Sequence, residues 1–311
     1  MFEGGSLGDL QDGVCGLVCT LKNKNPNAQQ IVDSLVSLTR LEKARCLRGL
    51  SASNQNSLRE SVCGLAFIFK NKQPCARQLV EALSSLAQLE GSDCLGEFSE
   101  VNHGMFQDGL CGIVSALVKK SLSSDQYAII FESLSHFAER DVLTTFLREG
   151  SFRTSFCSLI SAFKDKVSCD QHISVAFQSI SCLCRKGFLL GSLLPRDLMA
   201  FLRGLCDLVL KLANEDFSVE QYLHALTCLR ICQERDLLER LRKKEWISLR
   251  RCVCSMTSSL KDKSPSKEQI DRVLMLLNDF RRKGFLEKLT KLEHASLLES
   301  MHDLSLILWS A

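Results

Sequence analysis

Gly13-Val14-Cys15-Gly16-Leu17-Val18 returns as Ser61-Val62-Cys63-Gly64-Leu65-Ala66, as Gly109-Leu110-Cys111-Gly112-Ile113-Val114 and as Gly204-Leu205-Cys206-Asp207-Leu208-Val209. Cys157 and Cys254 complete the series, and the six cysteines stand 48, 48, 46, 49 and 48 residues apart. Two unrelated markers hold the same register. Gln126-Tyr127 with Glu139-Arg140-Asp141-Val142-Leu143 recurs 95 residues later as Gln221-Tyr222 with Glu234-Arg235-Asp236-Leu237-Leu238, and Arg185-Lys186-Gly187-Phe188-Leu189 recurs as Arg282-Lys283-Gly284-Phe285-Leu286. Independent markers in one register identify a tandem repeat. Its six copies span 10–57, 58–105, 106–151, 152–200, 201–248 and 249–296, after an N-terminal segment, 1–9, and before a last stretch, 297–311.

Within a copy, a first helix surrounds the marker cysteine. Over 106–118, Phe106, Leu110, Ile113, Val114 and Leu117 fall on one helical face. A polar loop follows, such as 23–27, 71–75 or 261–267. A second helix then starts behind residues suited to N-caps, Asn27, Ser124, Ser218 and Ser266, with apolar spacing such as Ile31, Leu35 and Leu38 or Ile130, Leu134 and Phe137. A shorter segment, 141–147 or 236–241, closes the copy. Helices of this length need tertiary packing, and one copy holds too little core to fold alone, so neighbours must stack. The small residues beside the marker (Gly16, Gly64, Gly112, Ser158, Ser255) predict a close approach of first helices. The expectation is an all-α, right-handed α-solenoid of six tandem helical repeats, with 297–311 as a C-terminal capping helix.

Composition agrees. Apolar residues make up 45% of the 311 and charged residues 24%, too apolar for a disordered chain, and only 4 prolines interrupt it. The net charge of +3 is too small to argue for nucleic acid by itself. No apolar run is long enough to span a membrane. The N-terminal stretch, acidic and glycine-rich, has neither the pattern of a secretory signal nor that of an arginine-rich transit peptide. Most of the 16 cysteines sit inside apolar helical runs, as small hydrophobes do in a reducing compartment; the mitochondrial matrix and the cytoplasm both qualify.

Those cysteines are the first place to look for chemistry. Cys15/Cys19 and Cys228/Cys232 are four apart and share a helix face, while Cys182/Cys184 and Cys252/Cys254 are two apart and do not. Structural zinc requires two close pairs at defined spacing, which is absent, and the histidines are scattered. A residue repeated six times serves packing better than catalysis. No metal site, cofactor or catalytic residue is therefore assigned, no small-molecule substrate is implied, and the chain is expected not to be an enzyme.

The loop carries the functional signal. Seven and nine residues after the marker stand Lys22/Lys24, Lys70/Lys72, Lys164/Lys166 and Lys261/Lys263, with Lys119/Lys120 a near-equivalent. The fifth copy departs, having Asn214-Glu215-Asp216. On a stacked array these lysines would form a ladder able to follow a phosphate backbone or an acidic partner. Lysines at helix C-termini are also favoured by the helix dipole alone. The last copy, 249–296, carries 11 Lys and Arg against 6 Asp and Glu. Arg242, Lys243, Lys244, Arg250, Arg251, Arg281, Arg282 and Lys283 form the densest cluster, with only Trp246 as a neighbouring aromatic, so contacts to phosphates are expected rather than base stacking.

Helical units of this length resemble armadillo and HEAT repeats. The segments Leu83-Ser84-Ser85-Leu86-Ala87-Gln88-Leu89 and Lys283-Gly284-Phe285-Leu286-Glu287-Lys288-Leu289 also resemble the octotricopeptide and heptatricopeptide-type repeats of organellar RNA-associated proteins. These units are longer than that class has, and no base-reading position recurs between them. The organellar resemblance implies RNA binding or a place in a mitochondrial ribosome. The expected function is thus a non-catalytic scaffold binding RNA phosphates in a ribonucleoprotein; the alternative is a protein–protein adaptor gripping a peptide or helix.

Overall fold

The computed structural model describes residues 7–92, 94–95, 98–140, 150–164, 166, 170–187, 195–215, 217–287 and 289–310. Among them the regular structure is helical, with no strand. The helices are α1 Leu7–Asn23, α2 Ala28–Lys43, α3 Ala52–Phe69, α4 Ala76–Glu90, α5 Glu100–Leu117, α6 Ser124–Glu139, α7 Gly150–Phe163, α8 Asp170–Arg185, α9 Pro195–Asn214, α10 Val219–Glu234, α11 Lys243–Leu260, α12 Lys267–Arg282 and α13 Lys291–Ser310. The all-α reading therefore stands. Each marker cysteine lies in an odd-numbered helix from α1 to α11.

The chain divides into two compact units, Met1–Phe156 and Cys157–Ala311. In the first, α1, α3 and α5 pack side by side in one row and α2, α4 and α6 in another. In the second, α9, α11 and α13 form one row and α8, α10 and α12 the other. Within each of these rows a helix thus rests on the equivalent helix of the next copy. The buried apolar residues lie on the facing stripes: Leu65, Phe69, Leu110 and Val114 in the first unit, Leu205, Val209, Val253 and Leu260 in the second.

The first helix of a copy is longer than its apolar spacing predicts. α5 begins at Glu100 rather than 106, because the Ser99 side chain caps it by accepting from the Asn102 amide. Likewise Ser51 caps α3 through Asn54, and the Thr290 hydroxyl accepts from the Glu293 amide at the start of α13. The polar residues after each cap look like linker in the sequence but form helical turns, so the boundaries drawn at 58, 106 and 297 fall inside helices.

The second helices start by a shared device. Asn27 accepts from the Gln30 amide at 2.9 Å and the Gln30 side chain accepts from the Asn27 amide at 2.9 Å. Ser123 with Gln126 and Ser266 with Gln269 do the same. Gln78 and Gln221 close the returning half on Cys75 and Ser218. These are capping boxes. The cap expected at Ser124 is one residue earlier, at Ser123, because the box needs its glutamine three residues on. Before each cap lies a buried residue (Pro26, Pro74, Leu122, Phe217, Pro265), and four residues after it another (Ile31, Leu79, Tyr127, Tyr222, Ile270), the pattern of a hydrophobic staple.

The second helices also stop by a shared device. Arg45, Gly187, Asp236 and Gly284 adopt the left-handed conformation, with φ of 62°, 74°, 55° and 71°. Around three of them a Schellman motif forms, for example Cys46 N–H to Leu41 O at 2.9 Å and Phe285 N–H to Phe280 O at 2.9 Å. Glycine suits this position and arginine does not. Arg45→Gly is therefore expected to raise stability by about 1 kcal/mol, measured as a shift in the urea midpoint at unchanged slope. The closing segment at 236–241 is a single 3-10 turn, Leu238–Arg240, pinned by buried Leu237, Leu238 and Leu241; 141–147 lies outside the described residues.

Candidate anion-binding surface

All six marker cysteines are buried. Burial pushes the Cys63 and Cys206 thiols up to about 12 and that of Cys254 up to about 11, so they stay protonated and unreactive. Every described cysteine is a free thiol. Among the described residues no group of His, Cys, Asp and Glu is arranged to hold a metal ion, and no helix is long and apolar enough to cross a membrane.

The lysines of the loops divide by position. The first of each pair lies against the next copy. Lys70 Nζ meets Asp108 Oδ2 at 3.3 Å, Lys164 Nζ meets Asp207 Oδ2 at 2.6 Å and Lys261 Nζ meets Asp303 Oδ2 at 3.5 Å. The stems of Lys22 and Lys70 fill the space where a Cβ on Gly64 or Gly112 would sit. The small residue beside the marker and the lysine seven residues after the previous marker are thus two halves of one contact. Where the fifth copy has Ala213 in the lysine position, Ser255 donates to the Ala213 carbonyl instead. These lysines act first as struts between copies.

The second lysines face outward or backward. Lys24 and Lys166 are exposed, as are Lys119 and Lys120 of the third copy. Lys72 Nζ donates to Asn25 Oδ1 of the preceding loop at 2.6 Å, and Lys263 Nζ sits 5.5 Å from the centre of the Tyr222 ring. In the second unit the fifth-copy departure, Asn214 and Glu215, lines a polar groove of about 970 Å³ together with Asp262 and Lys263. Asp216 is outside the described residues.

The C-terminal basic cluster separates into three parts. Arg281, Arg282 and Lys283 end α12, where the dipole favours cations, and Arg282 also lies 3.9 Å from Asp279. Arg251 is taken up by Glu293 at 2.7 Å. Arg242, Lys243 and Lys244 are different. They occupy the N-cap and the first two positions of α11, the positive end of its dipole, and Arg242 provides no side-chain cap. All three are exposed and none has an ion-pair partner among the described residues. Glu245, the only acid of that turn, leans away to Arg203 at 3.4 Å. Each misplaced cation there costs on the order of 0.3–1 kcal/mol at low salt.

Arg250 lies beneath this end. It is 7% exposed, with its guanidinium 4.6 Å from the Trp246 ring centre and 6.0 Å from that of Phe285. Its Nε has no hydrogen-bond partner. Burial pulls its pKa below the usual arginine range, with Glu293 acting in the opposite direction. Trp246, Ile247, Arg250 and Phe285 line a groove of about 680 Å³ together with Lys243 and Lys283. Sequence reasoning misses Phe285 as part of this site. It also misses the position of Arg250, four residues before the marker, where Gln11 and Arg59 stand in earlier copies and bond the linker of their own copy. Gln11 donates to Cys46 O and Arg48 O at 3.1 and 3.0 Å, and Arg59 donates to Leu95 O at 2.5 Å. The signal that could have found it is the column four before the marker, where a polar residue recurs in an apolar helix.

No protein-family model matches this chain, and no curated protein matches it in sequence.

Proposed function

We propose that the chain is a non-catalytic helical-repeat scaffold that binds RNA through its phosphates within a ribonucleoprotein. The observation that carries this reading is the placement of Arg242, Lys243 and Lys244 at the positive end of α11 with no carboxylate to neutralise them. Folding gains nothing from that arrangement, whereas a phosphate is bound by helix-end amides and cations together. Within the same unit exposed Lys166 adds a further cation and the struts Lys164 and Lys261 contribute field more than contact, while in the first unit exposed Lys24, Lys119 and Lys120, with the struts Lys22 and Lys70, would offer phosphate contacts of their own. The proposal includes the six-copy count and the right-handed solenoid, which rest on the spacing of the repeat. The organellar resemblance extends it to an organellar ribosome component, which cofractionation with ribosomal RNA would test.

The decisive test is fluorescence anisotropy with a single-stranded RNA across a salt series. Log affinity should fall linearly with log salt. The triple change Arg242→Gln, Lys243→Gln, Lys244→Gln should reduce the slope by about 0.7 for each phosphate it leaves without a cation. Affinity indifferent to salt, or a variant binding like the parent, would overturn the reading. The second reading, a protein adaptor, is favoured by α13, whose Leu306 and Trp309 are 54% and 86% exposed. In that case a partner should be lost on Trp309→Glu and kept by the α11 variant.

A further inference from the structure

The buried Nε–H of Arg250 has no acceptor. In the equivalent position Gln11 and Arg59 spend their donors on carbonyls of the linker that follows their second helix. Arg250 makes no such bond: it packs against the linker residue Phe285, and its Nε–H meets no acceptor. Taking part of a guanidinium out of water is costly, and cation–π contact worth up to about 2 kcal/mol, together with the more distant charge of Glu293, offsets that cost. No carboxylate lies within ion-pair distance of Arg250 among the described residues, although the same helix pairs its neighbour Arg251 with Glu293. The fold thus holds a guanidinium against a groove and leaves its buried Nε–H unsatisfied.

The rest of the groove describes what would satisfy it. On the side of Arg250 stands Lys243, at the positive end of α11. The groove is also lined by Asp236, Glu239 and Glu287. Those carboxylates accept hydrogen bonds from hydroxyl and amino groups. Half-buried Trp246 and Ile247, which is 36% exposed, add an apolar surface. Cations for an oxyanion, acceptors for hydroxyl and amino groups and an apolar surface for a flat ring together describe a nucleotide. The volume of about 680 Å³ lies within the range of small-ligand sites.

We infer that this groove is a single-nucleotide subsite, in which Arg250 and the first turn of α11 hold one phosphate of a single-stranded RNA while Trp246 and Ile247 flank its base. The assignment rests on the RNA reading for the source of the phosphate, and adds to it a specific pocket where the exposed lysines supply only general attraction.

Trp246 is a built-in reporter. The chain has 2 tryptophans, and the other, Trp309, is 86% exposed and is replaced by Phe in the test protein. Uridine monophosphate titrated into the full chain should change Trp246 emission saturably. Uridine and inorganic phosphate should each bind at least tenfold more weakly. Arg250→Met should lose at least tenfold in affinity. Arg250→Lys keeps the charge and stem but not the fork; it should lose roughly tenfold, and it decides the matter should the Met variant fail to fold. The inference is overturned by an absence of saturation, by uridine or inorganic phosphate binding as tightly as the nucleotide, by an Arg250→Lys variant equal to the parent, or by saturation with a short acidic peptide in place of the nucleotide. The two proposals fail separately. Salt-sensitive RNA binding that survives Arg250→Lys, with no nucleotide binding, removes the subsite alone; nucleotide binding without affinity for longer RNA removes the scaffold reading alone.

Discussion

Replacing Gly109 by valine should unfold most of what Gly13→Ala strengthens, although the two glycines occupy the same place in odd-numbered helices of one repeat. A Cβ at 109 would lie 2.6 Å from the Ala66 carbonyl carbon and 2.7 Å from its oxygen. Both belong to the backbone of α3 and cannot swing aside. Valine adds two methyl groups to that overlap, so α3 and α5 must separate along their shared stripe. The expected loss is about 3 kcal/mol, at the upper end of overpacking costs, seen as a lower urea midpoint. At Gly13 nothing lies within 4 Å. There Gly→Ala only removes the entropic handicap of a helical glycine, and stability should rise by about 0.5–1 kcal/mol. Equal effects at both positions would mean that the spacing of α3 and α5 is not set by this contact.

The second large effect is a dependence on pH. Glu90 ends α4 half-buried, and its Oε2 has no hydrogen-bond partner. Burial raises its pKa to about 7, and the nearby Arg140 offsets this only in part. Arg140 instead donates to the Gly91 carbonyl at 2.5 Å. A carboxyl whose pKa is higher folded than unfolded favours folding most while protonated. Its contribution therefore declines as pH rises from the unfolded value of about 4.3 to about 7, and is level above that. Glu90→Gln removes the decline. The variant should match the parent near pH 4.5 and exceed it by about 2 kcal/mol at pH 8, an estimate reduced for partial exposure. Denaturation at the two pH values measures it; a variant less stable than the parent at pH 8 would show the carboxylate to be satisfied.

The repeat was legible because packing writes itself into period. The marker cysteine and the leucine spacing answer to contacts that recur along the chain, and the small neighbours Gly64 and Gly112 to the lysine stems laid over them. Helix starts were less legible, since Ser51 and Ser99 cap turns whose polar residues carry no apolar signal. The glutamine of the capping box recurs five times against six for the cysteine, at 30, 78, 126, 221 and 269, but its meaning lies in a hydrogen bond rather than in hydropathy. The lysines show the limit of a one-dimensional reading. Lys22 and Lys24 differ by two residues and look alike in sequence, yet one lies along Gly64 and the other is exposed. Only the register of the next helix distinguishes them. Arg250 belongs to the basic cluster by its charge, whereas its burial between two rings depends on Phe285, 35 residues away.

Hydrogen bonds between equivalent loops and second helices of successive copies share a reach of about one repeat. Lys72 to Asn25 spans 47 residues, Gln78 to Gln29 spans 49, and Arg235 to the Arg185 carbonyl spans 50. Each compact unit is therefore assembled from partners one repeat apart, with no strand pairing to await among the described residues. During synthesis a copy can complete its contacts as soon as the following one has emerged, and the loop to be closed has the same entropy at each step. Growth of the folded chain would then keep pace with translation, advancing by one repeat at a time from the N-terminal end.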